Sequence, residues 1–106
     1  MSAVDDGVAV AKLLADLGDT ADAYADALRA KEIKGQRNKS RCCPIARYIA
    51  AAMPNLYNVT VIRKRLYFLV ANSPISARVW VPMPVAAEQF THRFDEGVYL
   101  DLVEVA

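Results

Sequence analysis

Cys43 and His92 are the residues whose types could support covalent chemistry together. Cys43 directly precedes Pro44, a residue suited to the first position of a helix, and it is flanked by Arg41 and Arg47. A thiol at a helix N-terminus beside two guanidinium groups is expected to have a lowered pKa, and His92 could then serve as its base. Linear order gives no reason for the two to meet, and no third group to orient the base is indicated. A small, half-buried residue ahead of a helix-starting proline is the plainer reading of Cys43. His92 is expected on the solvated face of a helix, opposite Phe90 and Phe94 and paired with Glu88 four residues earlier.

The other chemistries are thinner. Two adjacent cysteines and one histidine fall short of the four ligands of a structural zinc, so no metal is expected. Neighbouring cysteines such as Cys42 and Cys43 seldom bridge, and reduced thiols fit an intracellular location. The four glycines lie far apart, none opening a strand-to-helix phosphate loop, so no cofactor is expected. The carboxylate pairs Asp5-Asp6 and Asp95-Glu96 sit where helix ends explain them. With no complete catalytic set, the chain reads as a non-enzymatic protein, Cys43-dependent chemistry being the alternative.

Binding chemistry is better represented. Arg37, Lys39, Arg41, Arg47, Arg63, Lys64 and Arg65 are interleaved with Tyr48, Tyr57 and Tyr67. The formal charge of +1 conceals a partition: residues 1–28 carry one base and six acids, residues 29–65 ten bases and one acid, residues 66–106 two bases and five acids. Such segregation favours docking to a charged protein or to a second copy of the chain, so the leading expectation is a protein–protein interaction module, a homodimer included. The alternative is nucleic-acid binding through residues 37–65. Three helices followed by a basic-tipped hairpin is the order of a winged helix, whose third helix reads the major groove. Here that helix, Ile45 to Met53, is nearly all apolar and offers only Arg47 to a base edge.

The elements that must position these residues follow from periodicity. Ser2 can cap a first helix carrying Val10, Leu13, Leu14 and Leu17 at i, i+3, i+4, i+7, stopped by Gly18. Asp19 or Thr20 caps a second with Ala21, Tyr24, Ala25 and Leu28, fraying out by Gly35. Residues 35–41 read as an exposed loop. Pro44 opens a third helix with a buried stripe of Ile45, Tyr48, Ile49 and Ala52, ended by Pro54 and Asn55. The period then falls to 2. Tyr57, Val59 and Val61 form one inward set, Leu66, Phe68 and Val70 a second, and Ala77, Val79 and Val81 a third, with Arg63-Lys64-Arg65 and Asn72-Ser73-Pro74 connecting them. Pro84 opens a fourth helix with Ala86, Phe90 and Phe94, stopped by Gly97, and Val98 to Val105 is a tail that can dock or add a strand. The expected fold is a single α+β domain over 1–106, helices on a three-stranded antiparallel sheet in the order ααα-βββ-α, with residues 1–18 an appended helix.

At 106 residues and 55% hydrophobic the chain suits one globular domain rather than a disordered segment. Its acidic start is unlike a secretory signal, and its apolar runs are too short to cross a bilayer, so a cytoplasmic protein with no membrane partner is expected. The sequons Asn38-Lys39-Ser40 and Asn58-Val59-Thr60 carry no weight in that compartment.

Two segments carry a resemblance. Cys43-Pro44-Ile45-Ala46-Arg47-Tyr48-Ile49 follows a basic loop containing Gly35, and Pro82-Met83-Pro84-Val85 leads to Phe94-Asp95-Glu96-Gly97-Val98-Tyr99. Over about residues 20 to 100 the chain resembles small uncharacterised proteins of actinobacteria and their phages, which share a Cys-Pro-x-Ala-x-Tyr helix and a Phe-Asp-x-Gly-x-Tyr end. The resemblance implies a small cytoplasmic protein, a phage-encoded one acting on a host or phage macromolecule included. It transfers no catalytic role.

Overall fold

The structure, a computed structural model, describes residues 3–71 and 78–104. The order is α1 (Ala3–Asp16), α2 (Ala21–Ala30), α3 (Pro44–Ala52), β1 (Leu56–Ile62), β2 (Arg65–Val70), β3 (Val79–Pro82) and α4 (Val85–Asp95), followed by a 3₁₀ turn over Leu100–Leu102. This is the expected α+β arrangement, with one antiparallel sheet in the order β1-β2-β3. Among the described residues, no helix is long and apolar enough to cross a membrane. The Ser2 cap, the 72–74 connection, Ala77 and Val105 lie outside the described residues.

The helix signals act as their chemistry requires. Thr20 accepts the Ala23 N–H at 3.0 Å and caps α2. Cys43 caps α3, its Sγ accepting the Ala46 N–H at 3.4 Å, with Pro44 in the first helical position. Gly97, at φ +89°, ends α4: its N–H donates to the Phe94 carbonyl and the Val98 N–H to that of Arg93, a Schellman motif. The same motif ends α2, but with Glu32 in the left-handed position at φ +57°, its N–H donating to Arg29 and that of Ile33 to Leu28. The expected fraying toward Gly35 is thus corrected: α2 stops at Ala30 without a glycine to announce it.

The sheet corrects a second expectation. Between Tyr57 and Thr60 the register of β1 slips, so Asn58 and Val59 together oppose Phe68, with Asn58 at φ +54°. A one-residue slip reverses the faces. Val59 and Val61 therefore point inward as expected, whereas Tyr57 points outward and is 46% exposed. Leu66, Phe68 and Val81 complete the inner face, which α3 covers at β1 and α1 at β3. In α3 the buried set is Pro44, Ile45, Ala46, Tyr48 and Ile49; Ala52, expected in the stripe, is exposed.

Helices α2 and α4 pack through rings. The centroid of Phe90 lies 6.2 Å from that of Tyr24, 6.0 Å from Phe94 and 5.3 Å from Tyr99. Burying each such ring contributes on the order of 2–3 kcal/mol. The buried Tyr24 hydroxyl is satisfied by the Leu14 carbonyl at 2.6 Å, and burial pushes its pKa up to about 12.

The tail docks where the sequence left its place open. Gly35 N–H donates to the Leu102 carbonyl at 2.9 Å, and Glu104 N–H donates to the Gly35 carbonyl at 2.8 Å, a parallel bridge with Val103. Gln36 N–H meets the Cys42 carbonyl at 2.7 Å, so the start of α3 lies against the same glycine. A Cβ on Gly35 would stand 2.4 Å from the Cys42 oxygen and 2.6 Å from the nitrogen of Pro44. Backbone and the proline ring of the 42–44 segment leave nothing soft to yield. Gly35→Ala is therefore expected to lower stability by about 2–3 kcal/mol in urea denaturation; a loss below about 1 kcal/mol would contradict a junction this tight.

Candidate functional site

The seven basic candidates separate into groups. Arg37 donates through Nε and Nη2 to the Asp95 carbonyl at 3.0 and 2.9 Å, satisfying the C-terminus of α4, while Asp95 Oδ1 accepts the Asn38 N–H at 2.9 Å. Arg47 pairs with Glu104 and donates to the Lys34 carbonyl at 3.1 Å. Both of these hold the fold together. Arg29, outside the candidate set, does the same, gripping both Asp101 oxygens at 2.5 and 3.1 Å. Much of the basic middle and acidic end that sequence reading assigned to partners is thus paired within the chain.

Lys39, Arg63, Lys64 and Arg65 come together along one side of a cleft of about 870 Å³. The opposite side is α4, with Glu88, His92 and Asp95, so the cleft is of mixed charge. Cys43 and His92 both line it, a shared location the linear sequence gave no reason to expect. The chemistry expected of them is corrected. Burial pushes the Cys43 thiol up to about 11 rather than down, because desolvation of a thiolate outweighs the two backbone N–H groups at the helix start. Arg47 has turned to Glu104 instead of the sulfur. His92, strongly exposed, holds Glu96 at 2.8 Å rather than the expected Glu88. No group of three or more side chains that could hold a metal occurs among the described residues.

The outer face of the sheet adjoins this cleft, sharing Ile62 and Arg65 with it. The register places Tyr57 of β1 beside Leu69, Thr60 beside Tyr67, and Ile62 beside Arg65; Trp80 and Pro82 of β3 continue the same face next to Tyr67 and Arg65. Trp80 is 40% and Ile62 39% exposed. Tyr67 and Trp80 stand 4.9 Å apart at their centroids. The Arg65 guanidinium lies 4.1 Å above the Trp80 ring, and that of Arg78 lies 4.7 Å above Tyr67. Thr60 and then Arg41 hold the Tyr67 phenol below its ordinary pKa, which places Arg41 at the edge of this face.

Trp80 and Arg78 are the residues that sequence reading missed. The alternation that put Val79 and Val81 inward already put Trp80 outward. A sharper signal was also present: no Asp or Glu occurs between Glu32 and Glu88, a span with nine basic residues that contains the whole sheet. Searches against family models, curated proteins and solved structures find no match for this chain.

Two outcomes follow. Arg29 and Arg47, by hydrogen bonding, hold Asp101 and Glu104 below their ordinary values of 3.8 and 4.5. Carboxylates lowered in the fold stabilise it above those values and lose that contribution as pH falls through the lowered ones. Protection factors for amide exchange at Gly35 and residue 104 should therefore fall on acidification, and the Asp101→Asn, Glu104→Gln double variant should show a smaller fall. An unchanged acid response in that variant would contradict the clamp. Separately, Cys43 should alkylate far more slowly than the half-buried Cys42 near neutral pH. Peptide mapping after iodoacetamide reads the order, and preferential labelling of Cys43 would reverse the conclusion.

Proposed function

We propose that this protein is a non-enzymatic binding module that takes an acidic macromolecule on the open face of its sheet. The observation that carries the reading is the face itself: Trp80 and Tyr67 side by side, each beneath a guanidinium, on three strands without a carboxylate. Trp, Tyr and Arg are the residues that dominate binding energy at macromolecular surfaces, because they combine large apolar area with directed polar contact. An unbalanced set of cations selects a partner of opposite charge and speeds encounter with it. The cleft beside the sheet lacks that bias, since α4 lines it with Glu88 and Asp95.

Trp80 is the chain's one tryptophan and therefore reports on this face directly. Its emission is expected to change saturably with at least one of poly-glutamate, heparin and an oligonucleotide, less strongly as salt rises. Arg65→Gln with Arg78→Gln should weaken that binding by about tenfold or more, roughly 1.4 kcal/mol. Emission unmoved by all three polymers in a folded protein overturns the reading.

A further inference from the structure

The geometry points to single-stranded nucleic acid as the occupant of this face, an inference that rests on the binding reading above and names its partner. Each strand of the sheet supplies one ring to one side: Tyr57 from β1, Tyr67 from β2 and Trp80 from β3. Tyr57 and Trp80 are 46% and 40% exposed, whereas Tyr67 between them is buried and reaches the surface through the guanidinium of Arg78 that covers it. Flat rings on a solvated sheet are platforms for unstacked bases, and a guanidinium plane serves equally well. Arg65 over Trp80 and Arg78 over Tyr67 already form two such layers, so a base can extend the stack from the outer side of either guanidinium while its N–H edge meets a phosphate. Arg41, bonded to the Tyr67 phenol, and Lys64 in the β1–β2 turn add further positive charge beside the strands.

The alternatives meet only half of these features. An acidic polypeptide would satisfy the cations and leave the rings without matching partners, whereas every nucleotide brings both a phosphate and a π face. A duplex presents phosphates but keeps its base faces stacked on one another. Reading its groove would require a helix with free polar side chains, and α3 turns Ala50, Ala51 and Ala52 to solvent while Arg47 is held by Glu104. Recognition by stacking implies little discrimination among base sequences.

The test is fluorescence anisotropy with end-labelled oligothymidylate and oligouridylate of about 12 nucleotides, within the ~4–16-nucleotide range of single-strand binding sites. A 12-base-pair duplex and heparin compete at matched salt. Single strands should bind at least about tenfold more tightly than the duplex, with log affinity falling linearly against log salt. Trp80→Leu and Tyr57→Leu should each weaken binding about fivefold or more, and Trp80→Phe should restore most of the loss at position 80. These rings are exposed enough for the variants to fold, which circular dichroism checks. Equal or tighter binding of duplex or heparin overturns the inference, as does a Trp80→Leu protein that binds single strands like the parent. If poly-glutamate or heparin binds and neither oligonucleotide does, the inference fails and the acidic-partner reading stands; if none binds, both fail.

Discussion

A glycine with no room for a side chain governs how the rest of the molecule is assembled. Gly35 is the point where the end of the α2 connection, the start of α3 and the C-terminal tail converge, and it bonds to the tail through both its N–H and its carbonyl. Closing the tail onto residue 35 creates contacts of large sequence separation whose loop entropy must be offset. The buried Leu102 and the backbone bonds do most of that. Once the tail is in place, Asp101 and Glu104 stand opposite Arg29 and Arg47. These pairs are substantially exposed, and exposed pairs contribute only about 0–1 kcal/mol each. Their larger consequence is arithmetic: they remove two arginines from the surface available to a partner, and Arg37 on the Asp95 carbonyl removes a third.

The near-neutral formal charge is therefore spatial as well as numerical. Acidic end and basic middle meet along the α2–tail seam, while the sheet, on the far side of its helices, keeps its cations without carboxylates of its own. Within residues 37–65, Arg37 and Arg47 are bonded inside the chain, while Lys39, Arg63, Lys64 and Arg65 line the cleft. What forms is a mixed cleft, a seam of internal pairs and, adjoining the cleft at Ile62 and Arg65, a sheet face whose strands carry no carboxylate. The sheet face gains Arg78, which lies outside that sequence window.

Much of the fold could be read from the sequence because local and long-range preferences agree. Thr20, Pro44 and Gly97 each do what their chemistry favours at a helix end, and the change of period after Pro54 marks the sheet. Two of the misreadings, of the α2 end and of the β1 register, share a cause. Glu32 and Asn58 take left-handed backbone angles that composition does not announce, so a helix end and a strand register were each misplaced. The bulge matters for the proposed site, because the register slip decides that Tyr57 joins the outer face. The site was less legible still. Which arginine is used internally depends on contacts between residues 57 to 72 positions apart in the chain, and no local pattern encodes those.

An open sheet face with exposed rings is ordinarily a liability, since apolar area and free strand edges invite self-association. Here the rings do not stand bare. A guanidinium over each of Trp80 and Tyr67 keeps charge in the water while its plane covers the ring, a contact worth about 0.5–1 kcal/mol at an exposed site. Ser40 caps part of the β1 edge by accepting the Val61 N–H at 2.9 Å. The same stacking fixes the rings and arginines before any partner arrives, which lowers the side-chain entropy lost on binding. Like charges on neighbouring copies repel face from face. Under the proposed reading, the guanidinium groups that shield the rings are the same groups that would meet a polyanion.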